Sequence, residues 1–425
     1  MFLKLWVMSY KILGDYIRKV DNKNKDLKVL NLQGLSMTKE FRKSTSNIVG
    51  TDLSKYKIVK QGQFCCDFMS VIRVHKLPVV LNNLGEDVII SPAYIVFEIT
   101  DKNILLPEYL MMWFRRSEFD RYADFRCDSS IRGGFQWEEL CEVELPVPAI
   151  EEQRKAVEQY QSVANKIKVN EQICEKLEAT AQALYKHWFV DFEFPNEEGK
   201  PYKSSGGKMV WNEELGKEIP EGWERDFLKN YCKIKGGKRL PKDNELNSSK
   251  EGRPYIRVAD MNNDKFITLN SKFQYVNDEI QKSISKYIVE KDDVLISIVG
   301  TIGLVNIIDE SLHQANLTEN CFKITNFKIV NSDYLYHFLV SNDGQREIEM
   351  KTVGGVQAKL PMYNVELLDI MIPSENILKY FKTICNKLNN HLINKKIELD
   401  KLTQLQSLLL SRLAVGEEEK RKIMV

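Results

Sequence analysis

Histidine is scarce in this chain, paired-cysteine motifs are missing, and net charge is nearly absent. Each lack removes a class of function. Five histidines and eight cysteines are scattered over 425 residues, and no two cysteines stand in a C-x-x-C spacing. A zinc site gathers its four ligands from short spacings of that kind, so no metal site is expected. The cysteines sit among apolar residues and read as buried free thiols of a reducing compartment. No window nears the ~18 uninterrupted apolar residues of a membrane span. The opening Met1-Phe2-Leu3-Lys4-Leu5-Trp6-Val7 lacks a basic leader and a small-residue cleavage site, so it reads as a strand or helix edge and not as a signal peptide.

Catalytic signatures are missing too. There is no G-x-x-x-x-G-K-[ST] loop for ATP and no G-x-G-x-x-G after a strand. Nor is there an H-E-x-x-H, a G-x-S-x-G or an Asn/Asp-Pro-Pro-Tyr/Phe run. The chain is therefore expected not to be an enzyme and to carry no cofactor. A nuclease or methyltransferase with an unrecognised site is the alternative. Net charge is only +1, which suits a nucleic-acid binder only if charge is segregated. It is segregated: Lys229, Lys233, Lys235, Lys238, Arg239 and Lys242 fall in one stretch without an acid. Acids gather at Glu138, Glu139, Glu142, Glu144, Glu151 and Glu152, and again at Glu417-Glu418-Glu419.

What the chain does have is a duplication. Arg132-Gly133-Gly134-Phe135-Gln136, Leu140 and Leu145-Pro146 precede one helical stretch. Val353-Gly354-Gly355-Val356-Gln357, Leu367 and Ile372-Pro373 precede another. Aligned on the glycines, the second copy carries six extra residues, Ala358 to Tyr363. In the first helix, Val163, Ile167, Asn170, Cys174, Leu177, Ala181, Leu184 and Trp188 follow at alternating steps of four and three. That is an a/d heptad seam. Adding 225 to each gives Leu388, Leu392, Lys395, Leu399, Leu402, Gln406, Leu409 and Leu413, a second seam with its own polar residue at the same place. Two long helices packed antiparallel, holding two similar modules apart about a pseudo-two-fold axis, are expected. Val163 to Trp188 would rise ~38 Å, close to one turn of B-DNA. A coiled-coil interaction scaffold with no DNA role is the second alternative.

The expected fold is thus two similar mixed α/β modules separated by two long antiparallel helices. The first module covers residues 1–148. Its short β-like runs are Lys57–Val59, Val79–Leu81, Val88–Ile90 and Ile95–Ile99, with a helix from Pro107 to about Tyr122. A spacer helix follows over 149–190. The stretch 191–222 has Gly, Pro or Ser at ten of its 32 residues and is expected to be an irregular linker. The second module covers 223–373, with a helix near Tyr334–Leu339, and 374–425 holds the second spacer and a charged tail.

DNA contact is expected from glycine-bearing loops with cations or amides. In the second module the candidates are Lys238, Arg239 and Lys242 beside Gly236-Gly237. Tyr255 and Arg257 follow, placed on one face of a strand, then Thr301, Gln357 and Lys359 in two hairpin-like tips. Arg reads guanine bidentately and Gln reads adenine. In the first module they are Arg132 and Gln136, with Lys39, Arg42, Lys43 and Arg73 for phosphate. His75 and His313 are read as ordinary residues.

A resemblance joins these pieces. Trp188-Phe189-Val190-Asp191-Phe192, Pro220-Glu221-Gly222-Trp223, Gly236-Gly237-Lys238-Arg239-Leu240-Pro241, Tyr255-Ile256-Arg257-Val258-Ala259-Asp260, Gly300-Thr301-Ile302-Gly303 and Leu317-Thr318-Glu319-Asn320 occur in that order. Together with Leu145-Pro146-Val147-Pro148-Ala149-Ile150-Glu151-Glu152-Gln153, they resemble the specificity subunit of type I restriction–modification systems over essentially the whole chain. The resemblance implies two target recognition domains reading a bipartite double-stranded DNA site in a prokaryotic cytoplasm. It implies two methyltransferase subunits carrying S-adenosylmethionine and two restriction subunits using ATP and magnesium, all docked on this chain. The second spacer departs from the pattern, opening Pro373-Ser374-Glu375-Asn376 where the first has Glu-Glu-Gln.

Overall fold

A computed structural model describes residues 10–44, 50–127, 135–213, 215–242, 244–249, 251–270, 272–355 and 357–414. The chain is mixed α/β and divides into two compact units. The first runs to Asn170 and takes in the chain from Glu398 onward. The second is Glu171–Ile397. Both long helices, Ile150–Tyr185 and Glu375–Arg412, therefore contribute to both units. No described helix is long and apolar enough to cross a membrane.

The first unit is built on a four-stranded antiparallel sheet. Its spatial order is Ile17–Val20, Ile95–Ile99, Phe64–Cys66, Val79–Leu81. Val, Ile and Phe dominate these short runs, as suits strands buried by helices. The region expected as one helix is two, Pro107–Phe114 and Ser117–Arg126. The break is at Arg116, whose backbone is extended. Here the expectation of an unbroken helix to Tyr122 fails. A local contact accompanies the break: the guanidinium of Arg116 lies 4.1 Å from the Trp113 ring centre and is nearly buried.

The second unit repeats this order strand for strand: Lys233–Gly236, Cys321–Thr325, Val294–Ser297, Val305–Ile308. It adds a fifth strand, Phe266–Ile267, parallel to the fourth. Helices Ser332–Leu339, Asn342–Lys351 and Met362–Glu366 stand 225 residues after Pro107–Phe114, Ser117–Arg126 and Trp137–Cys141. A matching hydrogen bond recurs as well. Tyr109 Oη donates to the Pro146 carbonyl (3.3 Å), and Tyr334 Oη to that of Met371 (2.5 Å). The offset is constant on both sides of the glycine-bearing loops, each ten residues long. The six-residue insertion expected at Ala358–Tyr363 is therefore absent. The two glycine pairs are not equivalent, and Arg132 corresponds to Gln357.

The heptad seams face inward. Asn170, Cys174, Ala181, Trp188, Leu392 and Leu413 are buried, and the other seam residues are half-buried. Within the first unit, Val157 and Tyr160 share a core with Leu410 and Leu413, and Lys166 pairs with Glu398 at 3.5 Å. Within the second, Glu178 pairs with Lys396 at 3.5 Å, and the Tyr185 and Phe381 rings lie 6.5 Å apart. Rising numbers on one helix meet falling numbers on the other, so the pair is antiparallel in both units. Asn170 is fully buried with neither amide atom hydrogen-bonded, a cost of the kind a polar seam residue carries for fixing register.

The stretch 191–222 is not irregular, contrary to expectation. Met209–Asn212 and Lys217–Pro220 form an antiparallel hairpin. Phe192 and Phe194 are buried, and the Phe194 ring stacks 4.9 Å from Trp223 and 4.5 Å from Tyr202. Burial of these aromatic rings outweighs the turn-rich composition.

Candidate nucleic-acid interface

In the second unit, hydrogen bonds draw four loops to one end of the sheet. The hairpin between Val294–Ser297 and Val305–Ile308 is braced by Ser297, whose Oγ donates to the Thr301 carbonyl (2.6 Å) and accepts from Leu304 N–H (2.9 Å). Gln345 Nε2 steadies its base, donating to the Gly303 carbonyl at 3.1 Å. Ile298 N–H donates to the Asn320 carbonyl (2.9 Å), and Leu360 N–H to that of Ile298 (3.0 Å). The loop after Asn342–Lys351 is closed by two 2.9 Å bonds between Val353 and Lys359, and Lys359 also bridges to Val299. It is a hairpin-like tip as expected, and Gly354 has φ +98°, where a side chain would be strained. Thr301, Gln357 and Lys359 are all exposed on these neighbouring loops.

Lys238 N–H donates to the Leu317 carbonyl (2.8 Å), which brings the basic stretch to the same end. Lys238, Arg239 and Lys242 are exposed. Of the two glycines beside them, Gly237 serves packing. A Cβ on Gly237 would stand 2.0 Å from the Thr318 carbonyl oxygen, and the Gly237 amide donates to the Cys321 carbonyl. Arg239 Nε lies 2.6 Å from Glu319 Oε1. Burial pushes the Glu319 carboxyl up, but Arg239 and Thr318 outweigh it and hold it below the usual range. Glu319, an acid within a basic cluster, is not among the residues expected to touch DNA, although it belongs to the Leu317-Thr318-Glu319-Asn320 run that carries the resemblance.

Two candidates are overturned by burial. Tyr255 is 3% exposed, and its hydroxyl donates to the Lys238 carbonyl at 2.8 Å. It is a core residue and reaches no base. Lys39 is 4% exposed, its ammonium bonded to Asp120 (2.6 Å) and to the Phe114 carbonyl. It anchors a turn and meets no phosphate. Arg257 does not share a strand face with Tyr255. It follows the strand Arg253–Ile256, its guanidinium grips Asp260 through two 2.9 Å bonds, and it also donates to Gln274.

In the first unit, Arg73 is exposed on the short helix Val71–Val74 in the connection between Phe64–Cys66 and Val79–Leu81, where the second unit places Thr301. Burial pushes the Tyr94 phenol up and Asp67 adds to this, while the charges of Arg42 and Arg73 oppose it. Lys43 is exposed on the same strand as Arg42. Phe68 meets Phe135 edge-on at 5.5 Å, linking the same two loops that Ile298 and Leu360 link in the second unit. Gln136 is exposed where helix Trp137–Cys141 begins, its N–H bonded to Glu139 Oε2 (2.7 Å). Arg132 lies outside the described residues.

Several known proteins resemble this chain in sequence. A family model for the type I restriction modification DNA specificity domain matches residues 220–399. The type I restriction enzyme MjaIX specificity subunit of Methanocaldococcus jannaschii is 27% identical over 333 residues, covering 75% of this chain and 71% of that one. The HindI specificity subunit of Haemophilus influenzae is 25% identical over 391 residues, covering 79% and 83%. Residues 220–399 thus match the type I restriction modification DNA specificity domain, and type I specificity subunits resemble the chain over three quarters of its length. The crystal structure of an S subunit from M. genitalium shares the specificity-subunit fold, with a TM-score of 0.56 over 97% of this chain and 98% of that one, at 13% identity.

Several ionisable groups and thiols are buried in structural roles. Six of the eight cysteines are buried and two half-buried. Among the described residues no group of three His, Cys, Asp or Glu is placed to hold a metal. His337 is buried in the second unit. Its Nδ1–H donates to Gln182 Oε1 (2.7 Å), and its Nε2 accepts from Lys265 Nζ (3.2 Å). Burial, then the Lys265 charge, holds its pKa well below the ordinary value. Unfolded, it would titrate near ~6.5. Below that pH the unfolded chain takes up a proton that the folded unit refuses. Stability is therefore full above about pH 6.5 and falls as pH drops, by up to ~1.4 kcal/mol per pH unit. In denaturant titrations at pH 7, 6 and 5, His337→Met should lower stability at pH 7 and show a flatter decline. A slope equal to that of the parent chain would refute this role.

Proposed function

We propose that this chain reads a bipartite double-stranded DNA site and holds the catalytic subunits of a type I restriction–modification complex, with no chemistry of its own. The observation that carries this reading is the duplicated loop cluster, with Arg132 and Gln357 at the same position of equivalent ten-residue loops. An Arg in one copy and a Gln in the other suits two half-sites of different sequence, guanine read by one and adenine by the other. Residues 1–148 and 223–373 are the two target recognition domains, 149–190 and 374–425 the spacer helices, and 191–222 the structured link between them. Arg42, Arg73 and Gln136 join Arg132 on the first half-site. Lys238, Arg239, Lys242, Thr301 and Lys359 join Gln357 on the second. Arg257, already gripped by Asp260, acts by holding the strand end in place. The spacer helices carry two methyltransferase subunits with their S-adenosylmethionine, and two restriction subunits with ATP and magnesium complete the complex in the cytoplasm.

The test is adenine methylation across the genome of cells with and without this chain, the neighbouring genes intact. A split motif of two short half-sites with a fixed gap, seen only with the chain present, is the expected result. Unchanged methylation in cells expressing all subunits would sink the reading. Within that assay, Gln357→Ala should relax discrimination in one half-site and Arg132→Ala in the other, each by ~1–3 kcal/mol. Equal weakening on every sequence would make either residue a phosphate contact.

A further inference from the structure

The constant 225-residue offset pairs every residue of helix Ser117–Arg126 with one of Asn342–Lys351. Buried positions stay apolar in both copies because the fold demands it, as with Ala123 and Ile348. Exposed positions answer to no such demand, yet here they keep their character. Arg121 matches Arg346, and one turn later Phe125 matches Met350. Phe125 is 86% exposed and Met350 63%. Each copy thus presents an arginine and a large apolar side chain four residues apart on one helical face. Two diverging modules have no folding reason to keep a solvent-facing apolar residue at the same spot.

We propose that this stripe docks a methyltransferase subunit, one copy on each unit. The inference rests on the functional reading above. Arg, Phe and Met are enriched at the cores of protein–protein interfaces, whereas DNA interfaces are far more polar. A surface repeated in both units takes the same partner twice. The location fits that partner. Phe125 and Met350 stand in the last turn of their helices, directly before the loops that hold Arg132 and Gln357. An enzyme that modifies a base of the read site must sit beside those loops.

The test uses the full-length chain with its methyltransferase subunit, titrated by native mass spectrometry with and without DNA. The wild type should take up two copies. Phe125→Ser or Met350→Ser should weaken one of the two by about 30-fold, and the double variant should weaken both. Arg121→Glu and Arg346→Glu, which leave the apolar residues in place, should act on the same copies. Unchanged melting temperatures are expected, because all four positions are exposed. Wild-type uptake of both copies by the variants would overturn the proposal. So would intact protein assembly with lost DNA affinity, which would make Phe125 and Met350 wedges against the duplex. A wild-type chain that takes up no methyltransferase subunit would refute the functional reading itself, and this proposal with it.

Discussion

Asp333→Ala is expected to destabilise the second unit by about 3–5 kcal/mol, the cost of breaking a buried ion pair from one side. Asp333 Oδ1 accepts from Lys265 Nζ at 2.7 Å and from Asn389 Nδ2 at 2.8 Å. The Lys265 side chain is 2% exposed. Without the carboxylate its ammonium keeps only the neutral His337 nitrogen and the faces of Phe266 and Tyr336, 5.7 and 5.6 Å from their ring centres. The double variant Lys265→Met/Asp333→Leu removes both charges and should recover much of the loss. Urea denaturation followed by tryptophan fluorescence measures this. A single variant within 1 kcal/mol of the parent would refute the pair's structural role. The first unit buries a lysine elsewhere, Lys39 against Asp120, and should be untouched.

Phe381→Ala should cost the second unit a similar ~3–5 kcal/mol. The Phe381 ring is fully buried at the start of the second long helix. It lies 5.0 Å from Phe189, 5.9 Å from Trp188 and 5.9 Å from His337. It therefore joins the end of the first long helix and the start of the second to helix Ser332–Leu339, and its loss leaves a cavity that the surrounding rigid rings cannot close. The equivalent position in the first unit is Ala156, half-buried against its own core. Ala156→Gly should cost about 1 kcal/mol there, chiefly through helix propensity. Differential scanning calorimetry separates the two. Equal shifts for both variants would contradict the asymmetry.

Much of this architecture was legible from residue order. The heptad seams were visible because a helix repeats its buried face at fixed spacing, and Val163 to Trp188 keeps that spacing unbroken. The strands Val79–Leu81, Val88–Ile90 and Ile95–Ile99 were legible because they are short, apolar and bounded by turn residues. What stayed hidden depends on contacts between distant residues. Lys39 looks like a surface cation until Asp120 is folded beside it. Tyr255 looks like a reader until the Lys238 carbonyl takes its hydroxyl. The glycine pairs misled the alignment because loop sequences drift freely, while the helices around them keep the 225-residue register. The candidate contacts Thr301, Gln357 and Lys359 were identifiable by residue type and loop context, but only folding brings their loops together.

The second unit is one uninterrupted stretch of chain, whereas the first is stitched from both ends. Leu410, Leu413 and Ala414 cover Val157 and Tyr160, and Tyr10 Oη donates to the Ala414 carbonyl at 3.0 Å. During synthesis the module made first is therefore finished last. At ~5–20 residues per second, roughly 12–50 s separate the emergence of Asn170 from that of Leu413. For that interval the nascent first module waits with Val157 and Tyr160 uncovered, while its younger twin already owns every residue it needs to close.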